Sequence, residues 1–262
     1  MLTTNNYLTT VTALLKTELL VYRQIVVDKF IDVAIWVILT MVITSYILPL
    51  FGLKADFGVF QLGGVLAAVG LFEVYVSNVE LIADYTGDRI IDYYLTLPLP
   101  ASLVILSKAL YYFLVNLSLT LLVFPLGKLC LWQQLDLSQV HYPKLLLAII
   151  LACAFYAGFV IWSSSITPNM HKLGSVWSRL IFPMWFLGGF QFSWSALHHV
   201  FPWLAYLNLL NPMLYITEAL RVSLLGQADY LNFWLCLLAI TSCASLCFLV
   251  GYRNLKRRLD FV

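Results

Sequence analysis

LLLAIILACAFYAGFVIWSSSI, Leu145 to Ile166, carries no charge from end to end. Coiled as an α-helix it rises about 33 Å, just more than the roughly 30 Å hydrocarbon core of a bilayer. Its apolar residues do not alternate with polar ones, so it is not a barrel strand, and a helix satisfies every backbone polar group internally. Similar runs lie at 30–50, 57–82, 103–132, 180–194 and 231–252. With Leu145–Ile166 they give six expected spans, an even number that returns both termini to one side. The composition agrees: 262 residues, 62% hydrophobic, 11% charged, mean hydropathy +0.89 and formal net charge +2. A soluble domain of this length exposes far more charge. The expected fold class is an all-α integral membrane protein, with residues 1–262 as one membrane domain.

The front of the chain does not read as a cleavable signal, because Met1 to Thr10 is polar and the first long apolar run starts only near Phe30. Between them, Thr10 to Lys29 reads as an amphipathic interfacial helix. Val11, Leu15, Leu19, Tyr22 and Val26 form its apolar stripe while Lys16, Arg23 and Gln24 stay wet. Lysine and arginine placement then orients the chain. With both termini cytoplasmic, Lys16, Arg23, Lys29, Arg89, Lys108, Lys172, Arg179, Arg253, Lys256, Arg257 and Arg258 fall inside, and only Lys54, Lys128, Lys144 and Arg221 fall outside.

Two polar stretches interrupt the apolar pattern. DYTGDRIIDYYLTLPLP, Asp84 to Pro100, lies on the inner side between the second and third spans. Asp84, Asp88 and Asp92 repeat every four residues and are expected to share one helix face, with Ile90, Ile91, Tyr94 and Leu95 apolar and Pro98 and Pro100 as a stop. Like charges so spaced weaken a helix slightly. The arrangement therefore reads as a docking helix whose apolar side chains enter a partner's groove.

NLLNPMLYITEALR, Asn208 to Arg221, lies on the outer side. Asn211 caps a helix that starts at Pro212, and Gly226 stops it. The helix covers about 21 Å, too short to span, so residues 195–226 are expected as re-entrant outer helices. Tyr215, Glu218 and Arg221 share a face, and Glu218 to Arg221 is a workable order for an ion pair.

Other polar and aromatic features have competing readings. Glu73 and Glu80 lie near one face of the second span, and a carboxylate at membrane depth costs roughly 2.5 to 3.5 kcal/mol on insertion scales. Glu73 is therefore either part of a substrate path or an interhelix partner, and a proton-coupled carrier would use it. Asp32 has Lys29 within snorkelling reach. Phe182, Phe186 and Phe190 form a row that would suit a sugar path, with ordinary aromatic packing the favoured reading. Adjacent His198 and His199 point to different helix faces and do not make a metal site. Cys130, Cys153, Cys236, Cys243 and Cys247 read as packing residues, and Ser163 to Ser165 lack the GxSxG context of an intramembrane serine enzyme.

Taken together, the interfacial helix, the six spans, Gly87-Asp88-Arg89 through Leu97-Pro98 with Lys108 just after, and Asn211-Pro212 through Tyr215, Glu218 and Arg221 resemble the permease subunit of ABC transporters of the type-2 export family. The resemblance covers essentially the whole chain. Where members often carry Gly-Thr after a Glu-Arg pair, this chain has Gly87-Asp88. The resemblance implies an ATP-driven exporter of an amphipathic cargo: a lipid-linked glycan, a lipid or a hydrophobic drug. It implies a homodimer with a second copy of itself, served by two ABC ATPase subunits in a bacterial inner membrane and surrounded by membrane lipid, with no nucleic acid partner. Gly87, Asp88, Arg89, Ile91, Leu95 and Pro98 would couple to the ATPase, and Asn211, Pro212, Tyr215, Glu218 and Arg221 would form an outer gate. Glu73, Phe186 and Phe190 are pathway candidates. No catalytic residue, cofactor or metal is expected in this chain. ATP and Mg belong to the partner, consistent with the absence of a GxxxxGK[ST] phosphate loop.

Overall fold

The computed structural model describes residues 4–54, 56–96 and 100–259, and all regular secondary structure among those residues is helical. The first helix, α1 (Thr4–Val42), is uninterrupted. The stretches expected as a separate interfacial helix and a first span, 10–29 and 30–50, thus run together. The reason is local, since neither glycine nor proline occurs before Pro49 and nothing breaks the helix. It extends about 58 Å, well beyond one bilayer core. The expected stripe is present, with Tyr22 buried and Leu15, Leu19 and Val26 packed against the core. The opposite face is not purely polar: Leu20, Val21, Ile31, Ile35 and Leu39 are exposed beside Lys16 and Arg23. A π-helical turn, Ile43–Ile47, and a 3-10 turn, Leu48–Phe51, end the segment at Gly52.

Four more long helices follow: α2 (Phe57–Ala83), α4 (Ala101–Cys130), α5 (Tyr142–Ile166) and α11 (Phe233–Leu259), with the short α3 (Ile90–Thr96) between α2 and α4. Among the described residues, five helical segments are long and apolar enough to cross a membrane, those built on α1, α2, α4, α5 and α11. Helix α2 is the buried centre, with most of its residues from Gly58 to Ile82 enclosed. Helices α5 and α11 pair along their lengths, and Gly158 and Gly251 let the backbones meet. A Cβ at Gly251 would sit 2.6 Å from the Trp162 nitrogen.

The apolar run at 180–194 is not one long helix. It belongs to a shorter segment made of α6 (Leu173–Val176), a π turn (Trp177–Ile181) and α7 (Phe182–Leu187). Pro183 has no N–H to give, which favours the wider turn before it, and Gly189 with φ 76° reverses the chain just after. Then come α8 (Trp194–Val200), α9 (Pro202–Asn208) and α10 (Pro212–Leu225).

Contacts fix the two ends of the bundle. The His141 N–H at the start of α5 donates to the Ser223 carbonyl near the end of α10. Arg258 at the end of α11 reaches the Thr167 carbonyl just past α5. Residues 173–225 therefore travel from one end of the bundle to the other in broken pieces. Several short helices stand where the fifth span, 180–194, was expected.

Candidate functional site

At the end where α2 leaves the bundle, the single helix expected over Asp84 to Leu95 is broken in two. Asp84–Asp88 forms a π turn, and Arg89 takes the left-handed region with φ 53°, which ends one helix and starts another. Gly87 is exposed, and a Cβ there would meet nothing, so the conformational break falls on Arg89 and not on the glycine. The break turns Asp84 inward, where its Oδ1 accepts the Ile91 N–H at 2.8 Å in the first turn of α3. A carboxylate there satisfies an orphan donor and suits the positive helix end.

The other oxygen of Asp84 faces Lys108 of α4 at 3.2 Å, and the same Lys108 Nζ lies 2.7 Å from Glu18 of α1. One buried ammonium therefore ties α1, the α2–α3 junction and α4 together, with the Tyr94 ring of α3 at 5.7 Å. Ile91 is fully buried under this network, while Ile90 and Tyr93 face outward. The side chains of Asp88, Asp92 and Leu95, and Pro98 altogether, lie outside the described residues.

A second ion cluster sits further along the same three helices. Lys29 of α1 reaches Glu73 at 2.5 Å and Glu80 at 3.6 Å, both on α2. The Lys29 partner is thus Glu73 and not Asp32. Glu73 also lines a 360 Å³ cavity between α1 and α2. Between the two clusters, Tyr22 and Ser118 share a hydrogen bond of 2.7 Å. On the far side of α2, Arg258 closes the bundle. Its guanidinium stacks on Tyr85 at 4.3 Å and donates to the Thr167 and Pro168 carbonyls beyond α5. A cation at a helix C-terminus is placed where the orphan carbonyls lie.

At the opposite end, α10 is enclosed on nearly every side. Asn211 caps it as expected, accepting the Met213 N–H at 3.0 Å, and its amide donates to the Met184 carbonyl. Pro212 takes the first helical position, and Tyr215 donates back to the Leu209 carbonyl at 2.7 Å. Glu218 and Arg221 do not form the expected ion pair. Each is drawn instead to backbone groups, most of them at breaks between the short helices.

Glu218 accepts the Trp194 N–H at the start of α8 and the Leu231 N–H before α11, both at 2.9 Å. Arg221, 0% exposed, donates to the carbonyls of Phe192 at 2.8 Å, Phe190 at 3.1 Å and Phe60 at 3.3 Å, and stacks on the Phe60 ring at 3.6 Å. Two glycines of α2 make room. A Cβ at Gly63 would lie 2.7 Å from the Arg221 Cγ, and one at Gly64 would lie 2.7 Å from the Phe190 oxygen. Phe190 is buried beside Trp36 and Trp185, whereas Phe186 is exposed.

The remaining candidates have structural partners. Asn78 Oδ1 sits between the hydroxyls of Ser163 and Ser164, at 3.0 and 2.5 Å, and Ser165 donates to the Trp162 carbonyl. His198 stacks on Trp194, and among the described residues no three His, Cys, Asp or Glu side chains are grouped for a metal. The five cysteines are free.

The sequence reading placed Lys108 among the inner-side cations and beside the Gly87–Pro98 motif, and did not single out Glu18, Tyr85 or Gly63. The repeat of charged residues at depth in α1 and α4 was the available signal, and it says nothing about which helix supplies the partner. No curated protein matches the chain. The family model described as ABC-2 type transporter matches residues 9–225. That range takes in the α1–α2–α4 ion clusters, α3 and all of α10, so the chain belongs to the ABC-2 type transporter family and is a multi-pass membrane permease.

Proposed function

We propose that this permease is the membrane half of an ATP-driven exporter that moves an amphipathic cargo, a lipid-linked glycan, lipid or hydrophobic drug, across a bacterial inner membrane. Two copies form the path and two ABC ATPase subunits dock on the cytoplasmic ends, where both termini lie. The segment from Gly87 through α3 to Pro98 is the coupling element, and α8 to α10 form the outer gate, with the pieces of residues 173–225 supplying the sixth passage.

The observation that carries this reading is the Glu18–Lys108–Asp84 network. Asp84 holds the N-terminus of α3, and Lys108 hands the same carboxylate to α1 and α4. A push on α3 is therefore delivered to two long helices through buried ion pairs, which do not slip as an apolar contact can. The exposed apolar face of α1 supports a second copy or lipid as its cover.

A carrier driven by protons through Glu73 is the second reading, favoured only by the cavity that Glu73 lines. The Lys29 ion pair weighs against it, because that pair must break before Glu73 can exchange a proton freely. Purification of the tagged chain from its own cells tests both. An ATPase subunit that co-purifies and vanadate-sensitive transport in proteoliposomes are expected. Transport that collapses with a protonophore and ignores vanadate would replace the exporter with the carrier.

A further inference from the structure

Between the outer ends of α1 and α2 lies a 440 Å³ cavity walled by Thr40, Thr44, Gln61, Phe57, Phe190 and Gln191. A second cavity of 690 Å³ adjoins it, with Leu53, Phe57 and Gln191 in the walls of both. Each is in the size range of ligand sites, and their shared walls make them one groove. Gln61 is only 1% exposed, yet neither its Oε1 nor its Nε2 has a hydrogen-bond partner. A buried carboxamide with a donor and an acceptor both unmet is costly and calls for a partner that supplies both.

The rest of the wall narrows the chemistry. Phe57, Phe192 and Tyr230 supply aromatic wall, with Phe60 stacked between Phe57 and Arg221 behind it, and Gln191 and Ser193 add polar groups. Burial, the largest influence on it, raises the Tyr230 phenol above its ordinary range, so it stays a neutral hydroxyl. Asp56 and Asp229 outnumber Lys54 among the charged lining residues, which opposes a phosphate or other anion. The Arg221 guanidinium is not part of the wall, and it directs hydrogen bonds to three carbonyls instead of into the groove. A quaternary ammonium would suit the rings and acids but offers Gln61 neither donor nor acceptor.

From this groove we infer a binding site for a neutral polyhydroxylated group, a sugar ring whose C–H face lies on the aromatics and whose hydroxyls pair with Gln61 and Gln191. The inference rests on the export reading for its role, where it places the glycan part of the cargo at the outer mouth, but the binding itself needs neither ATP nor partner.

The test uses purified full-length permease in phosphatidylethanolamine–phosphatidylglycerol nanodiscs, without ATPase or nucleotide and free of sugar detergents. Dodecyl maltoside and dodecylphosphocholine, each carrying a diazirine on the alkyl chain, are photolysed in turn and adducts are mapped by peptide mass spectrometry. The maltoside should label residues 53–61 and 190–193 about fivefold above the phosphocholine probe, the factor supplied by roughly one neutral hydrogen bond. Gln61→Leu should remove that excess. The exposed Gln191→Leu, which should not disturb folding, should lower it too. Equal labelling by the two heads, or an excess that survives both substitutions, overturns the sugar site. Because no ATPase is present, that failure would leave the export reading standing. Loss of the export reading in co-purification would leave the binding result intact.

Discussion

Replacing Lys108 with Met keeps most of the side-chain volume and removes the charge that Glu18 and Asp84 share. Glu18 lies 2.7 Å and Asp84 3.2 Å from the ammonium, and the three side chains are 9%, 15% and 7% exposed. Without the lysine, two carboxylates are left enclosed with no counter-charge. Removing one partner of a buried pair costs about 3 to 5 kcal/mol.

Part of that cost is avoided if Glu18 turns to solvent, so the lower end is the working figure. About 3 kcal/mol is a hundredfold change in the ratio of held to released α3. Hydrogen exchange across residues 84–96 reads it directly, because the Ile91 N–H is protected by Asp84. In Lys108→Met that amide should exchange about a hundredfold faster, and stimulation of the ATPase by the permease should fall with it. Adding Glu18→Gln and Asp84→Asn removes the stranded charges and should restore folding stability without restoring coupling. Unchanged exchange at Ile91 and unchanged ATPase stimulation in Lys108→Met would refute the claim that this network holds the coupling element.

Two perturbations probe the surroundings of α10. Glu218→Gln must present its NH₂ to either the Trp194 or the Leu231 N–H, leaving one donor unmet at a cost of about 1 to 3 kcal/mol, and cargo export at matched protein level should fall more than expression. Equal export would remove Glu218 from the gate. Gly63→Ala places a methyl 2.7 Å from the Arg221 Cγ, an overpacking that costs roughly 1 to 3 kcal/mol. The melting temperature of the purified permease should drop, and the same substitution at Gly87, where a Cβ meets nothing, should leave it unchanged.

Much of the fold was legible in the sequence, because bilayer thickness converts an uncharged run directly into a span. The long helices are such a case, as is the Asn211–Pro212 start of α10, where the cap lies within two residues of the group it satisfies. Continuity between the interfacial stretch and the first span was less legible: the absence of glycine and proline before Pro49 signalled it, but the polar stripe suggested a separate element. The run at 180–194 misled for the opposite reason, since hydropathy counts Pro183 and the Gly188-Gly189 pair as apolar filling while the backbone treats them as a bulge and a reversal.

By itself the sequence determined that this chain crosses a membrane as helices, which residues cap α10, and which charges lie at depth. Only the tertiary structure decided where those charges go. Spacing along one helix brings Glu218 and Arg221 together and leaves Lys29 nearest Asp32, yet a buried charge settles where the most unmet partners are. For Arg221 those partners are two carbonyls of a broken passage, Phe190 and Phe192, and one of α2, Phe60, which no local pattern encodes. For Lys108 they are carboxylates on α1 and at the α2–α3 junction, and the helix packing that brings them within 3.2 Å is a property of the folded bundle.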